Sequence, residues 1–437
     1  MEWWQLLIVF FGSMVGLMLT GLPVAFVFLL INLVGAILVW GFLPGLNLLT
    51  LSMRSSVSNF ALLPIPMFVL LGEVLFHSGI GFAVIEVIDK WLGRLPGRLG
   101  LLAVASGTLF STLSGSSIGT TAMLGTVLVP DMERRGYSKA MSIGPVIGSG
   151  GLAMIIPPSG IAVLLAAVAE VSIGKLLIAG IVPGILIAIF YAAYIVIRCR
   201  LQPDIAPAYE VAPVPLADKL RDTVIHVLPL GVIMFLVLGV IFLGLATPTE
   251  AAASGALGAF ALVACYGRLT WSVVYKSIMG TVHVTVMVLT IILTATTFAQ
   301  ILAFSGAARG LMSFTMSFNV EPMMIALLFQ AVLLFLGMFV GIVPMILITA
   351  PVFFPLVDAL GLNTIWFGLL TLINLEMAQS TPPFGTLLFV MKGIAPKGTQ
   401  LEDIYKAALP FLACDLTVLL LVMVFPDLAL WLPAIMR

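Results

Sequence analysis

Apolar runs long enough to cross a bilayer dominate this chain. They fall near 5–20, 24–39, 57–77, 142–169, 176–197, 227–245, 249–266, 281–304, 364–391 and 408–431. A membrane-spanning helix needs about 20 predominantly apolar residues, so each run predicts a transmembrane helix. Two further stretches, near 99–129 and 324–355, are too short for two full crossings and are interrupted midway. Their interruptions are Ser114-Gly115-Ser116-Ser117 and Val340-Gly341-Ile342-Val343-Pro344. Each stretch predicts a re-entrant hairpin of two half-depth helices of about 15 residues. A single tilted helix with a flexible glycine is the other reading.

Two of the spans are themselves broken, one at Ile156-Pro157-Pro158-Ser159-Gly160 and the other at Gln379-Ser380-Thr381-Pro382-Pro383. Proline removes a backbone donor and blocks the carbonyl four residues earlier. Carbonyls freed in this way are costly in lipid, so they must face protein, ions or a watery cavity. The breaks also repeat. At an offset of 225 residues, Pro23 maps to Pro248, Pro130 to Pro355 and Pro157-Pro158 to Pro382-Pro383. Four proline coincidences occur where about one is expected at this proline content. Gly136 with Gly361, Gly160 with Gly385 and Ala153 with Ala378 extend the match. Matching interruptions in two halves of an apolar chain point to a transporter with a midplane site. The expected division is a first repeat over 1–197, a linker over 198–226 and a second repeat over 227–437.

Charge orients the halves. The loop after the first hairpin carries Arg134, Arg135 and Lys139, and the approach to that hairpin carries Lys90, Arg94 and Arg98. The corresponding segments of the second half carry no basic residue. Basic loops stay in the cytoplasm, so the two hairpins are expected to enter from opposite faces, which makes the repeat inverted. Threading the chain this way puts fifteen basic residues inside and four outside (Arg54, Lys175, Arg309 and Arg437), with both termini outside. The Pro-rich 198–226 segment becomes a cytoplasmic linker. Stretches near 80–98 and 268–280 pair basic residues with Trp91 and Trp271. They read as interfacial helices that brace a moving unit, or as ordinary connecting helices.

Composition agrees with this reading. Hydrophobic residues are 62% of the chain, charged residues 9% and mean hydropathy is +1.24. Soluble domains carry about 25% charge, which excludes that class. The start, Met1-Glu2-Trp3-Trp4, lacks a basic n-region and reads as an uncleaved first span. Cys199, Cys265 and Cys414 show no paired spacing, so neither a disulfide framework nor a metal site is suggested.

The chemistry therefore centres on the tips and breaks. Serine hydroxyls and freed carbonyls are hard oxygen ligands of the kind that suit Na⁺. The second half-helix of each hairpin points its positive dipole end at the midplane, where it suits an anion. The second tip lacks hydroxyls, so the two cation sites are not expected to be equivalent. Glu73, Glu250, His283, Glu376 and Asp415 are the ionisable residues inside spans; Glu376 ranks highest for coupling or structural pairing, and His283, which has no visible companion, is left unassigned. Glu250 after Thr247-Pro248-Thr249 reads as a helix start. Asp415 reads as facing a partner or water. Arg54 reads as an interfacial arginine or as an attractor for an anionic substrate or partner.

Ser114-Gly115-Ser116-Ser117, then Val129-Pro130 through Arg135-Gly136-Tyr137, then Ile156-Pro157-Pro158-Ser159 resemble the large membrane subunit of tripartite ATP-independent periplasmic (TRAP) transporters. Ala167 to Gly184, Ala246-Thr247-Pro248-Thr249-Glu250-Ala251-Ala252 and Thr381-Pro382-Pro383-Phe384-Gly385 extend the likeness over essentially the whole chain. The resemblance implies an all-α polytopic membrane protein of the ion-transporter superfamily. Its two inverted-topology repeats would each hold a re-entrant hairpin and a broken helix, working by an elevator movement. The implied function is Na⁺-coupled import of a small organic acid anion across the bacterial inner membrane, without an organic cofactor. Implied partners are a small four-helix membrane subunit, expected here as a separate polypeptide, a periplasmic substrate-binding protein and the lipid bilayer; nucleic acid is not among them. The implied Na⁺ ligands are Ser114, Gly115, Ser116, Ser117, Pro157 and Ser159 in the first half. In the second they are Gly341, Ser380, Thr381 and Pro382. The implied substrate contacts are Ser117, Pro158, Ser159, Gly341, Thr381 and Pro383. Many relatives look more polar than Val340-Gly341-Ile342 at the second tip, which leaves backbone carbonyls as the ligands there.

Three other classes compete with this reading. Gly115-Ser116-Ser117-Ile118-Gly119 matches the G-x-S-x-G pattern of serine hydrolases, but the pattern needs a strand-to-helix elbow and a base. A non-transporting membrane scaffold does not explain the paired breaks. A stand-alone ion-coupled anion transporter, needing no binding protein, shares the two-hairpin design and is the main alternative.

Overall fold

The computed structural model describes residues 2–93, 95–207, 214–317 and 320–436, without the side chains of 19, 61, 111–114, 308 and 315–317. Arg94, Pro213, Arg437 and the Ser114 side chain therefore lie outside the described residues. Among the described residues the secondary structure is helical and includes no strand. Among the described residues six helices are long and apolar enough to cross a membrane: Ile173–Leu201, Leu216–Phe242, Pro248–Cys265, Trp271–Phe304, Ile342–Ala359 and Leu401–Val424. Pro64–His77 and Ile80–Leu92 meet at a 69° bend and make a seventh if taken as one broken span. Trp3–Met18, Val24–Trp40, Arg98–Phe110 and Pro322–Gly337 are shorter apolar helices.

Both interrupted stretches are pairs of packed helices, not single tilted ones. The first hairpin joins Arg98–Ser114 to Ser117–Arg134, and the second joins Pro322–Gly337 to Ile342–Ala359. Their arms run 16 to 18 residues, slightly longer than expected. Both broken spans are also observed. Lys139–Gly151 passes through a 3₁₀ turn and the prolines to Gly160–Val168, and Thr364–Ser380 passes through its own prolines to Thr386–Ile394. The offset found in the breakers recurs in the helix boundaries. Ser117 and Ile342 open helices of 18 residues each, 225 positions apart, and Lys139 and Thr364 open the next pair at the same separation. Gly136 and Gly361 end the preceding helices with φ of +82° and +73°, a conformation glycine adopts without strain. Pro157–Pro158 and Pro382–Pro383 are both cis.

Several boundaries differ from the sequence reading. Phe42–Val57 is a helix where no element was expected, and Arg54 sits in its last turn. The expected interfacial helix near 268–280 merges with the next span into one helix, Trp271–Phe304, because no proline interrupts it. The span placed at 408–431 runs from Leu401 to Val424, and Pro426 separates it from Asp427–Ile435. The C-terminal part of the expected linker is helical, since Leu216–Asp222 continues through a π-turn into Leu228–Phe242. That end is docked: Lys90 Nζ donates to Asp222 at 2.6 Å and Trp91 Nε1 donates to Thr223 at 2.9 Å.

The helices sort into two packed groups. Val24–Trp40, Phe42–Val57, Pro64–His77, Pro248–Cys265 and Trp271–Phe304 pack on one another and form a frame. The hairpins, the broken helices, Ile181–Leu201 and Leu401–Val424 form the other group. Its centre is dense, with every residue from Met141 to Ser159 and from Ile365 to Ser380 buried. Glycines permit the close approach, as a Cβ on Gly144 would lie 2.5 Å from the Ala407 carbonyl.

Candidate functional site

The two groups enclose a cavity of about 670 Å³. Four helices begin on its wall, at Ser117, Gly160, Ile342 and Thr386. These are the second arms of both hairpins and the second halves of both broken helices. Each helix start presents unpaired backbone N–H groups and the positive end of its dipole. Four such ends around one space make an environment suited to a small anion. The frame closes the other side with Phe68, Val69 and Glu73 from Pro64–His77 and Met287, Thr290 and Ile291 from Trp271–Phe304.

The first tip and first break meet directly. A Cβ on Gly115, whose φ is +57°, would lie 3.6 Å from the Pro158 carbonyl and 4.0 Å from the Gly160 nitrogen. Gly115, Ser116, Ser117 and Pro158 all line the cavity. Ser116 Oγ accepts from Gly119 N at 3.1 Å and caps its helix, and Ser159 Oγ does the same for Ala162 N at 3.2 Å. Capping uses one lone pair of the Ser159 oxygen and leaves another for a second partner. Ser159 and Pro157 are buried and absent from the cavity wall.

The second tip and break meet around a smaller cavity of about 80 Å³, lined by Gly337, Gly341, Met345, Gln379 and Thr386 among others. Here the hydroxyls turn away. Ser380 Oγ donates to the Met377 carbonyl at 3.1 Å and Thr381 Oγ1 donates to the same carbonyl at 2.6 Å. Tyr405 OH donates to the Pro383 carbonyl at 2.7 Å, which ties down the outer side of the break. Ser380, Thr381, Pro382 and Pro383 line neither cavity. Gln379 lines both, although the sequence marks it only as part of the break. Its signal was available, because it is the only side-chain amide beside the prolines. Its Oε1 accepts from Thr386 Oγ1 at 3.3 Å across the interruption.

The ionisable candidates separate clearly. Glu73 faces the main cavity, with His77 Nε2 3.1 Å from its Oε2. Glu250 forms the expected capping box: its carboxylate accepts from Thr247 N at 2.8 Å and its own N–H donates to Thr247 Oγ1 at 3.3 Å. His283 is exposed, with Nδ1 2.7 Å from the Met279 carbonyl. Asp415, read as facing a partner or water, is buried and bonded to Tyr191, because its helix packs against the first broken helix. Among the described residues no group of three or more His, Cys, Asp or Glu forms a metal cluster. A cation at either junction would meet hydroxyl and carbonyl oxygens instead.

Comparison with known proteins places this architecture. The chain is 34% identical over 405 residues to the C4-dicarboxylate TRAP transporter large permease protein DctM of Pseudomonas aeruginosa, covering 92% of this chain and 93% of that one. It is 28% identical over 429 residues to the isethionate TRAP transporter permease protein DctMQ of Oleidesulfovibrio alaskensis, covering 97% of this chain and 66% of that one. The fold matches the Alcanivorax borkumensis YdaH transporter with a TM-score of 0.62 and 17% identity, covering 90% of each chain. The family model described as "Tripartite ATP-independent periplasmic transporter, DctM component" matches residues 11–428, so the chain belongs to that family of multi-pass membrane transport permeases.

Proposed function

We propose that this chain is the carrier of a three-part importer that moves a small organic acid anion across the inner membrane, driven by Na⁺. The observation that carries the proposal is the convergence of four helix N-termini on one cavity. The substrate carboxylate binds at those N-termini, between the tips at Ser117 and Gly341 and the breaks at Pro158–Ser159 and Thr381–Pro383, of which Ser117 and Pro158 line the large cavity directly. One Na⁺ sits where the first tip meets the first break, held by the Ser116 and Ser117 hydroxyls and by carbonyls of the Gly115 and Pro157–Ser159 segments. The second sits at the Gly341, Thr381 and Pro382 backbone. Ser380 is left out of the second site because its hydroxyl points into its own helix.

In this reading the hairpin-bearing group moves as a unit against the frame, with the hairpins entering from opposite faces and both termini periplasmic. The packing of broken helices and hairpins into one dense group supports a rigid carrier. A separate binding protein delivers the substrate, in keeping with relatives whose names give different substrates for similar permeases. The isethionate relative, named for two components and covered to 66% by this chain, supports a small membrane subunit as the other partner.

The test is uptake into proteoliposomes of this chain with its small subunit, using labelled organic acids under an imposed Na⁺ gradient, with and without the binding protein. Uptake that requires both Na⁺ and the binding protein is expected. Uptake with Na⁺ alone would move the chain to the stand-alone anion transporters.

A further inference from the structure

The carrier group holds two carboxylates that the import reading does not use. Glu376, on the second broken helix, and Asp415, on Leu401–Val424, are 2% and 1% exposed. Tyr191, fully buried on Ile181–Leu201, joins them. Its hydroxyl bonds to Asp415 Oδ1 and lies 3.4 Å from Glu376 Oε1. Glu376 Oε2 has no hydrogen-bond partner.

Among the described residues no basic side chain pairs with either acid. The lysines on the surrounding helices are engaged elsewhere: Lys139 and Lys406 with Asp403 and Glu402, and Lys392 with the Thr399 carbonyl. The first broken helix presents Gly151 to Glu376, where a Cβ would come within 2.6 Å of the glutamate side chain. Leu401–Val424 contributes Asp415 and the Cys414 thiol beside Tyr191. Ile181–Leu201 contributes Tyr191 itself, with Tyr194 beside Arg198 further along. Thr364–Ser380 brings no titratable group other than Glu376.

The hydrogens do not add up if both acids are ionised. Tyrosine has one hydroxyl hydrogen and can give it to only one carboxylate. The other contact would then set two oxygens together with nothing between them. A protonated carboxyl on Glu376 would supply the missing hydrogen and turn this 3.4 Å approach into a hydrogen bond. Two bare carboxylates in a dry core are also among the costliest arrangements a membrane protein can hold. Glu376 holds Tyr191 through the longer of the two contacts and leaves Oε2 without a partner, so it is the costlier of the two to leave charged.

We propose that Glu376, Tyr191 and Asp415 form a proton-binding site. Glu376 carries a proton directed at the Tyr191 oxygen, and Tyr191 donates its own hydrogen to an ionised Asp415. The site lies behind both breaks: Glu376 is six residues before Pro382 and packs on Gly151, six residues before Pro157. Loss of the proton as pH rises places two like charges between the broken helices and loosens the packing that aims the four N-termini. The pair titrates as a unit.

Infrared spectroscopy of the purified full-length chain tests this without Na⁺ or substrate, so its failure is separate from any failure of the import reading. The expected result is a protonated-carboxyl band at neutral pH. That band shifts with ¹³C-carboxyl glutamate but not with labelled aspartate, disappears at alkaline pH and is missing from E376Q. Absence of the band in the wild type, or insensitivity to glutamate labelling, overturns the proposal whether or not E376Q folds. Survival of the full band in a folded E376Q also overturns it. In uptake, the wild type should lose about tenfold as pH rises through the range in which the band disappears, and E376Q less than about twofold over the same range. Equal slopes would reject the link to transport.

Discussion

The two halves of the hairpin-bearing group use one plan with different chemistry. At the first break, every residue from Leu152 to Ser159 is buried, and serine side chains cap the helices that follow both the tip and the break. At the second break, Pro383 and Phe384 are exposed, and the corresponding helices start at Thr386 and Ile342 with no side-chain cap. There the hydroxyls of Ser380 and Thr381 serve the preceding helix instead. The same interruption is therefore held by side chains in one half and by backbone packing in the other. A repeat conserves geometry more easily than it conserves the atoms that maintain it.

Two glycines that correspond at the 225 offset expose this difference most strongly. A Cβ on Gly160 would meet only Val69, at 3.9 Å. A Cβ on Gly385 would lie 2.4 Å from the Gln379 carbonyl and 2.9 Å from the Thr381 carbonyl. Backbone atoms cannot yield as a side-chain tip can, and overpacking of this kind costs about 1–3 kcal/mol. Gly385→Ala should lower uptake by about tenfold or more, and Gly160→Ala by less than about twofold. Equal effects would show that the two breaks are supported alike.

Hydroxyl replacements should have a smaller effect, with the opposite bias. Ser159→Ala removes a helix cap and should cost about 1 kcal/mol of stability, read as a lower denaturation midpoint in detergent. Thr381→Val keeps the shape and loses a bond to a carbonyl in its own helix, so its midpoint should shift less. Ser117→Ala leaves both caps in place and should raise the Na⁺ concentration for half-maximal uptake by about three- to tenfold. A Na⁺ titration unchanged by Ser117→Ala would remove that hydroxyl from the first cation site.

Much of this was legible because helix breakers act locally. Proline and glycine impose their conformation whatever surrounds them, so the hairpins, the broken helices and the 225-residue offset could be read directly. Boundaries that depend on packing were less visible. Phe42–Val57 mixes Asn47, Arg54 and several serines into its apolar pattern and is held by its neighbours. Its Ser52 lies 3.0 Å from Thr297 Oγ1, hydroxyl to hydroxyl. Side-chain direction was the least visible feature. Nothing in Gln379-Ser380-Thr381 says that the amide faces both cavities while the hydroxyls turn back. The partnership of Tyr191, Glu376 and Asp415 joins three helices far apart in sequence, and no single window contains it.

The gentlest perturbation tests the proposed inversion on which the comparison depends. Gly136 and Gly361 mark the outer ends of the hairpins, but their positive φ makes them poor places for cysteine. The preceding helices end at Arg134 and Ala359, which correspond at the same offset and are both exposed. Cys265 is exposed, so the background should carry Cys265→Ser. In that background Arg134→Cys and Ala359→Cys should leave uptake within about twofold of the parent, as exposed substitutions usually do. A membrane-impermeant thiol reagent applied to intact spheroplasts should label Ala359→Cys and reach Arg134→Cys only after the membrane is opened. The basic loop at Arg134, Arg135 and Lys139 favours retention inside, whereas the loop around Gly361 has no basic residue to hold it there. Labelling of both from one side would make the hairpins parallel. The difference between the breaks would then arise within a single orientation and would no longer reflect two faces of an inverted pair.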